Sequence, residues 1–202
     1  MKKKKRIPII SEILEMNTTL KLLIISDILV YGALGFVGPI LSIFIDSNLT
    51  GGGIFTAGLA STVYLVTLSF LQIIFAYKFN PKDRLWMLWL GTGIIALVPI
   101  GYIFSTSIWH LFLAEFAYGI GAAFAYPSWS SLFTANLEKG KRGFQYSIYS
   151  SGLGIGTAIT AAVGGLIAER INFKFVFMIT SILAIIGLLI LFKLNKKILR
   201  KT

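Results

Sequence analysis

The chain has no cysteine and a single histidine, His110, among its 202 residues. Without thiols there is no disulfide framework and no thiolate metal site, and one imidazole does not hold a metal by itself. No Ser/His/Asp set, cysteine nucleophile or intramembrane HExxH occurs, so a hydrolase has no apparatus. No Walker sequence is present either. The segment GLGIGTAI lacks the third glycine of GxGxxG and follows no strand pattern, which discards a nucleotide loop. The reading is therefore no catalysis, no metal and no cofactor. Charge is scarce as well: 13% of residues are charged against 56% hydrophobic, and mean hydropathy is +0.81. A water-soluble globule has too little surface to hide so much apolar side chain.

What the chain does have is long apolar runs. Six of them, at about 22–45, 53–77, 85–104, 108–134, 144–168 and 173–194, reach the roughly 20 residues that a helix needs to cross a bilayer. The expected fold is an all-α membrane protein with six transmembrane helices in a domain over 22–194, flanked by basic tails over 1–21 and 195–202. Short polar connections such as DSNLTGG, NPKDR with its turn-forming Pro81, and LEKGKRG separate the runs. Asn48-Leu49-Thr50 matches a glycosylation acceptor, a pattern too short to carry weight. Two glutamates separate the opening MKKKKR from the first apolar run, so it reads as an uncleaved tail.

The net charge of +11 is distributed rather than patched. When connections are assigned alternately to two sides, all of the nineteen Lys and Arg except Arg170 and Lys174 fall on one side. By the positive-inside rule that side is the cytoplasm, which places both termini there in a multi-pass protein of the plasma or inner membrane. Topology thus accounts for the basic residues and no nucleic-acid partner is expected. The terminal lysine runs are read as solvated tails or as contacts to anionic headgroups. Trp86, Trp89 and Trp109 fall near span ends, where indoles favour the interface.

Within the spans a few residues stand out. Gly152, Gly156, Thr160 and Gly164, with Gly165 alongside, form a small-residue face that admits another helix closely. Pro127 removes a ladder hydrogen bond from the fourth span and is expected to bend it. Asp27 and Glu115 are acids inside apolar runs, which by default mark a pathway or a proton or cation site; hydration from a span end and capping by a tyrosine hydroxyl are the alternatives. Asp27 and Tyr31 share one helical face, and Glu115, Tyr118, Tyr126 and Trp129 share another. The expectation is two walls of a shared cavity, the rival reading being plain helix packing by tyrosines.

The stretch GIGAAFAYPSWSSLFTANLEKGKRGFQYSIYSSGLGIGTAITAAVGGLIAERINFKFVFMITSILAII resembles spans four to six of a major facilitator superfamily half, and SDILVYGALGFVGPILSIFI resembles the first span. Three positions depart from the family's pattern. Glu115 stands where an Arg is usual, the signature between spans two and three is reduced to Asp83-Arg84, and Thr160-Ala161 replaces a Gly-Pro. The resemblance implies a half-size secondary transporter of a small solute, with protons or another cation, working by alternating access. A family transporter has two six-span halves, so a homodimer or pairing with a related half is implied. On that resemblance the glycine face is directed at the second span of the partner. The initiator Met and basic tail read as the ends of a finished half, one part of a split protein or a decayed gene being the alternatives. The alternative is a transport-inactive scaffold or regulatory subunit that retains the fold.

Overall fold

The computed structural model describes residues 9–79 and 85–194. The turn at Pro81, the Asp83-Arg84 remnant and the tail over 195–202 lie outside them. Among the described residues eight helices follow one another: α1 (Ile9–Glu15), α2 (Thr18–Leu34), α3 (Gly38–Asn48), α4 (Ile54–Phe79), α5 (Leu85–Phe104), α6 (Ile108–Ala135), α7 (Arg142–Arg170) and α8 (Phe173–Leu191). Six spans among the described residues are long and apolar enough to cross a membrane, with α2 and α3 together forming the first. No strand occurs among the described residues, only one bridge between Thr50 and Ser107 that ties two connections on the side remote from the N terminus.

Two features of the first span differ from a single run over 22–45. It starts earlier, at Thr18, because Asn17 caps it: the Asn17 side chain accepts from the Thr19 amide at 2.9 Å, satisfying one of the free donors of a first turn. The span also breaks at residues 35–37. Pro39 has no N–H to give to the carbonyl one turn back, so the ladder is interrupted there. Tighter bonds take over, from the amides of Gly35, Phe36 and Val37 to the carbonyls of Gly32, Ala33 and Leu34 at 3.0–3.1 Å. By contrast α6 runs unbroken through Pro127, as α5 does through Pro99.

Helix order around the bundle follows from the packing. α6 lies against α4 and α5, α8 against α5 and α2, and α7 against α2, while α3 bridges α4 and α7. α4 and α7 do not pack along each other. They are also the least covered spans: only Thr56, Ala60 and Leu68 are buried in α4, and Gln145 and Gly164 in α7. Two hydrophobic clusters stack along the bundle. Leu23, Leu88, Ala125 and Leu191 belong to the one nearer the N terminus, and Phe44, Val98, Leu111 and Phe177 to the one beyond it. Hydroxyl bonds join helices across these clusters, from Ser26 to the Gly187 carbonyl and from Ser181 to the Ala96 carbonyl, both at 2.9 Å.

The glycine face of α7 has its neighbour within the chain. A Cβ at Gly152 would sit 2.7 Å from the Ile28 side chain, one at Gly156 3.4 Å from it, and one at Gly164 2.8 Å from the Phe36 carbonyl. Thr160 donates to the Gly32 carbonyl at 2.5 Å. The expectation of a partner's second span is corrected: α2 of the same chain fills that face. The physical reason is that small residues at a four-residue repeat admit any backbone, and the broken first span brings one close. Gly165 faces open space.

Candidate functional site

A cavity of about 460 Å³ lies in the half of the bundle on the N-terminal side. Ser26, Asp27 and Tyr31 enter it from α2, and Tyr126, Trp129 and Ser130 from α6. Gln72 of α4, Thr92 of α5, Tyr149 of α7 and Leu191 of α8 complete the circuit, so every span lends a residue. α4 and α7 flank the cavity without packing on each other, which leaves the wall between them incomplete.

Asp27 is 7% exposed, and its Oδ2 accepts a hydrogen bond from the Tyr149 hydroxyl at 2.7 Å. That bond joins spans one and five at the cavity edge. Among the described residues no Lys, Arg or His lines the cavity, and the ion pairs found there involve Lys141 with Glu12 and Glu138. The aromatic rings are close: Tyr31 and Tyr126 have centroids 5.5 Å apart, Trp129 and Tyr149 4.7 Å. The Trp129 Nε1–H is buried without an acceptor among the described residues.

Of the residues singled out from sequence, Asp27, Tyr31, Tyr126 and Trp129 come together here, and Glu115 and Tyr118 do not. Glu115 is 4% exposed and lies in the other half of the bundle, where the Tyr102 hydroxyl donates to its Oε1 at 2.6 Å. Tyr118 stacks on Tyr64 with centroids 4.2 Å apart, and Tyr64 reaches the Tyr126 hydroxyl at 3.1 Å. The expected single cavity with both acids is therefore corrected. The two acids are divided because Glu115 and Trp129 share a helical face but lie about four turns apart along it. Pro127 sits between two lining residues of α6, and the glycines pack behind α2 rather than line the cavity.

Sequence reading passed over Tyr149, Tyr102, Gln72 and Tyr64. Tyr149 had a readable signal, since it extends the Gly152–Gly156 face by one turn toward the helix start. Tyr102 had none, because its partner is set by the crossing of α5 and α6.

A bundle of six membrane-length helices around a lined chamber is that of a multi-pass membrane protein. The model of the Major Facilitator Superfamily matches residues 23–201, and the chain belongs to that family. It is 27% identical over 161 residues to an uncharacterized MFS-type transporter of Methanocaldococcus jannaschii, covering 77% of this chain and 40% of that protein. It is 26% identical over 163 residues to the uncharacterized MFS-type transporter YuxJ of Bacillus subtilis, covering 79% of this chain and 41% of that one. The chain thus spans about two fifths of the length of the curated relatives it matches.

Proposed function

We propose that the chain is half of a secondary transporter and that the chamber around Asp27 is its half of the solute pathway. The observation that carries this reading is the chamber itself: all six spans line it, it holds a buried carboxyl, and its wall is incomplete between the two least covered helices. A second six-span half, either another copy or a related one, completes that wall. Halves of this kind are parallel repeats about an axis along the membrane normal. Two copies with the same orientation therefore fit without inversion. Alternating access then exposes Asp27 to one side, while the Glu115–Tyr102 pair lies toward the other. Asp27 and Glu115 serve as proton or cation sites, and Pro127 and the α2–α7 glycine contact position the moving helices. The uneven split of basic residues between the two sets of connections supports an orientation with the N-terminal side in the cytoplasm.

The test is flux in liposomes. Purified protein should take up a solute in response to a pH or ion gradient, and Asp27→Asn should insert normally yet lose gradient-driven uptake. A broad solute panel with no flux, in the presence of any co-purifying half, overturns the reading.

A further inference from the structure

We propose that the chamber selects an organic cation, a bulky ammonium or phosphonium with apolar substituents. The inference rests on reading the chamber as the solute site and names the class of solute. Its carboxyl, Asp27, faces no basic side chain in the cavity among the described residues, so a positive ligand group is a partner that neutralises it. Four aromatic rings, those of Tyr31, Tyr126, Trp129 and Tyr149, surround the same space. A cation lying over such faces is attracted by their negative quadrupole, most strongly where water is excluded. Small metal ions and strongly hydrated primary amines are poorly served by rings, which return only a small part of the lost hydration, whereas a cation shielded by carbon has little hydration to lose. An anion meets the Asp27 charge and the same ring faces, both repulsive to it.

The remaining polar groups agree with a large ligand. Tyr149 holds Asp27 from one side only, through Oδ2. No hydrogen bond reaches the other carboxyl oxygen among the described residues, which leaves it for the cation. The cavity volume of about 460 Å³ lies within the usual range for drug-sized ligands.

Equilibrium dialysis of the purified protein against tetraphenylphosphonium and tetraphenylborate tests this, because the two ions share shape and differ in charge. The expected result is saturable binding of the phosphonium alone, weakened roughly tenfold or more in Asp27→Asn and less in Trp129→Leu. Equal or tighter binding of the borate overturns the proposal and requires no variant. Phosphonium binding unchanged in Asp27→Asn, or absent from the intact protein, overturns it too. Flux of another solute without phosphonium binding would sink this inference and leave the transporter reading standing. Charge-selective binding with no flux of any solute would do the reverse.

Discussion

Gly164 and Gly165 are adjacent and chemically identical, yet the bundle treats them differently. A methyl at Gly164 meets the Phe36 backbone at under 3 Å, where nothing flexible can yield, while one at Gly165 meets nothing within 4 Å. Gly164→Ala should therefore force α7 away from the break in the first span and cost about 1–3 kcal/mol, the usual range for overpacking, whereas Gly165→Ala should be close to neutral. Unfolding of the two variants in detergent compares them directly, and equal stability would refute the close approach. The small-residue repeat was legible in the sequence because period and residue size are local properties. Whose backbone it meets was not, since that depends on where a distant helix breaks. The same limit hid Tyr149 and Asp27 from each other, 122 residues apart in the chain.

At the scale of elements, the six spans could be read from apolar run length, a property each helix carries alone. The short helix α1 could not, because it is held by its neighbours. Glu12 meets Lys141 at 2.9 Å, the Asn17 amide donates to the Asn136 side chain at 3.0 Å, and Lys21 reaches the Leu14 carbonyl. The hydrogen bond to Glu12 holds the Lys141 ammonium above its ordinary range. A raised folded-state pKa means that the contact contributes fully below the ordinary lysine pKa and is lost only as pH rises through the raised value. It is therefore intact at neutral pH. Lys141→Met should speed amide exchange in Ile9–Glu15 and leave the spans as protected as before; unchanged exchange would show that the pair does not hold α1. A similar test applies to α5 and α8. Ser181→Ala removes the bond to the Ala96 carbonyl and should lower stability by about 0.6 kcal/mol, typical of a hydroxyl bond between helices in lipid.

For the whole molecule, orientation is the first quantity to measure. The chain has no cysteine, so single cysteines need no background correction. Ser47 and Thr106 lie exposed on the side remote from the N terminus, and Lys139 is exposed on the near side. Cysteines at Ser47 and Thr106 should react with an impermeant reagent outside intact cells, and one at Lys139 only after lysis. The reverse pattern would invert the topology. If two copies complete the chamber, single-molecule counting in membranes should find pairs, and a population of monomers that still transports would exclude that form. One more consequence follows from the break in the first span. Bending an intact helix in lipid strips ladder bonds where no water replaces them, but at residues 35–37 those bonds have already been rerouted within a tight turn. The span is therefore stiff in compression and compliant in flexure at one knuckle. Any change of angle between α2 and α3 falls at this knuckle, and Thr160, bonded to the carbonyl of Gly32, sits beside it.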